Sequence, residues 1–128
     1  MKAFILYDTR VGFRQDISSA LLMESYQFKV NIVKNFEEFI VSGMNNPESI
    51  MIISDMSLDT YDARRLQDKQ VYGYANSSDG IRQLQSNGII CIGVLKSAGK
   101  LLEALSMPTL PTMNKLSGLE QRTEAPPA

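Results

Sequence analysis

Asp8, Asp55 and the run Lys96, Ser97, Ala98 are the places in this 128-residue chain where polar side chains close apolar stretches. A carboxylate is a hard oxygen ligand of the kind magnesium takes, a lysine supplies a positive point charge, and a hydroxyl hydrogen-bonds an anion. The chain has no histidine, which removes Ser-His-Asp and Cys-His catalysis and histidine metal sites. Its single cysteine, Cys91, sits inside an apolar run. A buried, inert thiol is expected there, and no internal disulfide can form. Chemistry in this chain must run on carboxylates, hydroxyls and lysines.

The elements that position these groups follow from periodicity. Residues 3–7 form a short apolar run ending at Asp8, and Phe13, Ile17, Ala20 and Leu21 then recur at helical spacing, giving strand and then helix. Residues 29–33 alternate as a strand, and Asn35-Phe36-Glu37-Glu38 reads as a capping box opening a helix whose inner face is Phe36, Phe39 and Ile40. Pro47 stops that helix. Residues 50–53 are apolar throughout, as a central strand of a parallel sheet requires. Residues 59–78 are polar and aperiodic and read as a long loop with one helical turn at 63–67. A short helix over 81–85 ends at Asn87-Gly88, a fourth strand covers 89–95, and Ser97 caps a helix through Leu105. Pro108 and Pro111 bracket a weak fifth strand, and a last helix begins at 117–121.

Strands and helices alternating in this order predict an α/β fold, a three-layer α/β/α sandwich around a five-stranded parallel sheet, doubly wound. Its working site belongs at the carboxyl ends of the strands. One domain is expected over residues 1–120, followed by a tail or linker edge over 121–128. The composition, 44% hydrophobic and 21% charged with net charge -1, is that of a soluble globular protein with no basic surplus for nucleic acid. The longest apolar runs fall far short of the roughly 20 residues that cross a bilayer, and Asp8 comes too early for a signal peptide. A cytoplasmic protein is expected, touching neither nucleic acid nor membrane directly.

Over residues 2–120 the chain resembles the receiver domains of two-component response regulators, most specifically at Ile52-Ile53-Ser54-Asp55-Met56-Ser57-Leu58. The resemblance implies the flavodoxin-like (CheY-like) topology and a non-enzymatic role in bacterial signal transduction or transcriptional regulation. It makes Asp55 the phosphoacceptor, Asp8 with Asp55 the ligands of Mg2+, Ser97 the hydroxyl after the fourth strand, and Lys115 the lysine after the fifth. Phosphoryl transfer to a carboxylate needs a cation to neutralise the phosphoryl oxygens.

The departures bear equally on function. Tyr7 stands where the family has the first of two consecutive acids, so magnesium binding should be weak, and Tyr7→Asp should strengthen it. Asp59 replaces a proline, Lys115 lacks its following proline, and an Asp-Gly pair recurs only at Asp79-Gly80, as though residues 59–78 were inserted. Tyr61, Tyr72 and Tyr74 would then form an interaction loop over the site. An atypical or pseudo-receiver results, acting through an effector, a protein partner or a homodimer, with weakened phosphorylation of Asp55.

Plainer roles stand beside these. Asp8 is equally a cap for the first helix, Asp55 a loop cap, Ser97 a helix cap in any case and Lys115 a surface lysine. The tyrosines are scattered loop residues on that view, and the methionines fill the core. Two other classes compete. Tyr7-Asp8-Thr9-Arg10-Val11-Gly12 is similar to the Tyr-x-Arg-Val-Ser opening of serine recombinase catalytic domains, with the spacing off by one and the nucleophile replaced by Gly12, which would make a non-catalytic relative. A flavodoxin-like small-ligand binder would need a glycine-rich phosphate loop, and no such motif occurs.

Overall fold

The computed structural model describes residues 2–113. Five strands and five helices alternate: β1 (Lys2–Tyr7), α1 (Val11–Met23), β2 (Phe28–Val33), α2 (Phe36–Asn45), β3 (Ile50–Ser54), α3 (Thr60–Arg64), β4 (Val71–Ala75), α4 (Ser78–Ser86), β5 (Ile90–Val94) and α5 (Ala98–Leu105). A 3-10 turn, Asp55–Ser57, follows β3 directly. Every strand pair is parallel and the order is β2-β1-β3-β4-β5. This is the expected flavodoxin-like sandwich, with the sheet buried between two helical layers.

Period-two alternation along the strands sorts side chains into two cores. Ile5, Tyr7, Met51 and Ile53 face a core shared with Phe36, Phe39 and Ile40 of α2 and with Ile81 and Leu84 of α4. Phe4, Leu6, Ile52 and Tyr74 face the other, shared with Phe13 and Ile17 of α1 and Leu101, Leu102 and Leu105 of α5. The α2 cap forms as its sequence dictates: the Asn35 side chain accepts from Glu38 N at 2.8 Å. Glu38 Oε1 reaches back to Lys34 N at 2.9 Å, one residue earlier than an ideal box requires.

Residues 59–78 are not an insertion. They carry α3 and the central strand β4, so the strand taken as fourth is the fifth, and no strand forms between Pro108 and Pro111. The cause is Val71-Tyr72-Gly73-Tyr74-Ala75, where a glycine and two phenols lower the apolar signal of a strand that is mostly buried. Gly73 has a packing reason. A Cβ there would lie 2.7 Å from Leu84 Cδ2 and 2.9 Å from Ile89 Cγ2, so α4 rests against bare backbone. Asp79-Gly80 accordingly belongs to the first turn of α4 and is no displaced loop motif.

After α5 the chain is tied to the amino end of the sheet, where Lys2 Nζ donates to Met107 O at 2.7 Å, and then to β5, where Met113 N donates to Cys91 O at 2.7 Å. Lys115, the helix expected at 117–121 and the tail lie outside the described residues. Among the described residues no helix is long and apolar enough to cross a membrane.

Candidate functional site

Asp8 and Asp55 do reach the same sheet edge, because Tyr7 and Ile53, one and two residues before them, are register partners on neighbouring strands. Alternation then sends them apart. Asp8 continues the Phe4, Leu6 series toward α1 and bonds Tyr74, whereas Asp55 continues the Met51, Ile53 series toward α4.

The Asp8 side chain is fully buried, and its two oxygens take four donors. Oδ1 accepts from Arg10 N at 2.9 Å and Arg10 Nε at 3.0 Å. Oδ2 accepts from Arg10 Nη2 at 2.8 Å and from the Tyr74 hydroxyl at 2.6 Å. A carboxylate offers about four lone-pair sites, and here each has a donor. Arg10 Nη2 also reaches Ser54 Oγ at 3.4 Å, and Arg14 Nη1 donates to the Asp8 carbonyl at 2.9 Å. The guanidinium lies 4.2 Å from the centroid of the Phe13 ring, which stacks on Tyr74 at 5.9 Å. The bond to Asp8 holds the Arg10 guanidinium proton more tightly than usual, and burial, reinforced by Asp8, pushes the Tyr74 phenol well above its ordinary value.

Asp55, also buried, has a different setting. Its Oδ1 accepts from Asn76 N at 3.1 Å, and a Cβ placed on Gly80 would fall 2.0 Å from its Oδ2. Glycine is what lets the first turn of α4 lie against this carboxylate. Among the described residues no cation pairs with Asp55.

Magnesium demands near-octahedral oxygen ligation at about 2.0 Å. The residues present do not fit it: Asp8 has no free lone pair, and the adjoining charge is a guanidinium. Tyr7 supplies no carboxylate, and its ring packs on Phe39 at 5.6 Å and Phe36 at 6.3 Å. Among the described residues no group of three or more acidic, cysteine or histidine side chains could hold an ion.

The remaining expectations are redistributed. Ser97 follows β5, not the fourth strand, and its hydroxyl caps α5 by accepting from Lys100 N at 3.2 Å. Asn76 and Ser77 are the residues after β4, and Lys96, exposed, is the lysine after β5. Tyr74 is 1% exposed within β4, and Tyr72 is half-buried on the same strand, its hydroxyl accepting from Gln70 Nε2 at 2.9 Å, so neither belongs to an interaction loop. Tyr61 alone of the three is open, at 70% exposure on α3, with Met56 at 55% on the 3-10 turn. Sequence reasoning missed Arg10, Asn76 and Gly80 as site residues, and gave Tyr74 a place in a loop rather than its bond to Asp8. The pair Asp8 and Arg10, opposite charges two residues apart at a strand end, was the available signal.

No protein-family model matches the chain, and no curated protein matches it. Among solved structures it is similar to a response regulator in red light signaling of R. palustris, at 13% sequence identity and a TM-score of 0.61, over 90% of this chain and 100% of that one. At that identity the likeness is one of fold, and the fold is the receiver's.

Proposed function

We propose that this chain is an atypical receiver domain that works through protein-protein contact, as a homodimer or docked on an effector, with phosphoryl transfer to Asp55 weakened. The carrying observation is the saturation of Asp8: the carboxylate that the receiver resemblance assigns to magnesium is bound by Arg10 and Tyr74. A phosphoryl group arriving at Asp55 would lack the divalent charge that ordinarily neutralises it. The fold is kept, and apolar surface remains beside the edge at Met56 and Tyr61. Aromatic and methionine side chains of that kind supply contact area in interfaces. A signalling role in the cytoplasm, with no catalytic turnover and no direct contact with nucleic acid or membrane, completes the reading.

The test compares Asp55→Asn with the double substitution Met56→Ser, Tyr61→Ser for self-association by sedimentation and for capture of a partner. Excising residues 61–76 would be uninformative, because it removes β4. Association that survives Asp55→Asn and falls in the double variant supports the proposal. Association lost in Asp55→Asn and unchanged in the double variant makes the domain a conventional phosphorylation switch.

A further inference from the structure

We infer that Arg10 is a tethered cation that occupies Asp8 in place of a metal ion, so that the carboxyl edge is blind to divalent cations until the guanidinium is removed. The inference deepens the reading above, and rests on it only in taking this edge as the working site.

Three observations carry it. The first is stoichiometric: the fork of Arg10 takes one lone pair on each Asp8 oxygen, and its own backbone N–H and the Tyr74 hydroxyl take the others. A bidentate guanidinium neutralises a carboxylate as an ion would, in a planar geometry that leaves no vacancy. The second is mechanical. Arg10 cannot swing aside freely, because Phe13 lies under it at 4.2 Å and Ser54 Oγ meets its outer nitrogen at 3.4 Å, leaving the side chain 26% exposed. The third is chemical. Asp8 has no exposure, so removing the guanidinium leaves a buried carboxylate without its counter-charge, a position that an added divalent cation would take. The counter-charge position at Asp8 is therefore already filled by the chain's own side chain.

Other features carry less. The groove lined by Val11, Arg14, Ser18, Ile32 and Lys34, of about 560 Å³, is open, and nothing shows what fills it. Leu22 and Met23 at the end of α1 are exposed, and among the described residues nothing covers them.

The experiment uses MnCl2 as probe on the full chain. For the natural protein, the melting temperature and the amide NMR signals of Thr9, Arg10 and Met56 should not change with added ion. In Arg10→Gln, which removes the charge while keeping amide donors for Asp8, the ion should raise the melting temperature by about 5 °C at tenfold excess over its dissociation constant and broaden those amides. In Arg10→Gln with Asp8→Asn both effects should vanish. Should Arg10→Gln be unfolded without ion, the readout becomes recovery of the folded circular dichroism signal on adding MnCl2, again absent with Asp8→Asn. The inference is overturned if the natural protein responds to the ion through Asp8, or if Arg10→Gln neither gains stability nor refolds with it. Neither outcome bears on association, so the interaction reading stands or falls separately.

Discussion

The Arg10 guanidinium meets both carboxylate oxygens of Asp8, Nε to Oδ1 at 3.0 Å and Nη2 to Oδ2 at 2.8 Å, across only one intervening residue. Phe13 lies beneath the guanidinium and stacks on Tyr74, whose hydroxyl returns to Asp8, so the four side chains close a ring linking β1, α1 and β4. Removing one member strands another.

Arg10→Ala should therefore destabilise the fold by about 3 kcal/mol, because a fully buried carboxylate loses its counter-charge. Tyr74→Phe should cost less, about 1.5 kcal/mol, as the loss of one hydrogen bond to a charged group. Urea denaturation measures both. In a double-mutant cycle, Arg10→Ala should cost clearly less when Asp8 is already Asn.

The phenol of Tyr74 gives the fold an alkaline limit. Its folded pKa lies well above the ordinary value of 10.0, through burial first and Asp8 second. Below about pH 10 the phenol is protonated in both states and the contribution is complete. As pH rises further, the unfolded chain loses that proton while the folded one keeps it, so stability falls. Tyr74→Phe should show a shallower decline above pH 10 in denaturation experiments, and a phenolate absorbance titration should lose one late-ionising group. Tyr7, also raised by burial, should remain as another.

Gly80→Ala should cost about 1–3 kcal/mol, since its methyl would overlap the buried Asp55 carboxylate at 2.0 Å and meet Ala75 Cβ at 3.0 Å. The penalty should shrink when combined with Asp55→Ala, which clears the nearer clash. An equal penalty in both backgrounds would place the strain at Ala75.

The Cys91 thiol should react with alkylating reagents only as fast as the sheet opens, because the side chain is fully buried and burial pushes its pKa up. Alkylation that accelerates in step with urea, following global unfolding, is the expected pattern.

Much of this was legible in the sequence. Apolar runs with strong periodicity, at residues 3–7 and 50–53 and around Phe36 to Ile40, located β1, β3 and α2, and with them the edge where Asp8 and Asp55 emerge. The fourth strand was not, because Gly73 is needed for the approach of α4 and the two tyrosines read as surface, although Tyr74 is 1% exposed. Without that strand every later element shifts by one, so that Ser97 falls after a fourth strand and Asp79-Gly80 on the far side of an insertion. The partner of Asp8 was hidden for a different reason. Whether a carboxylate at a strand end turns outward to an ion or inward to its neighbour's guanidinium depends on Phe13 and Tyr74 closing around it, a tertiary contact between residues far apart in sequence. For the same reason Tyr7→Asp no longer isolates a metal effect, since it removes a ring packed on Phe36 and Phe39.

The most direct measurement is amide NMR of the natural protein with magnesium and beryllofluoride, a phosphoryl mimic, added together. A carboxyl edge held by Arg10 predicts that the signals of Arg10, Asn76 and Gly80 stay where they are in the untreated protein. Magnesium-dependent shifts at Asn76 and Gly80, abolished by Asp55→Asn, would show a working phosphorylation site and contradict the account.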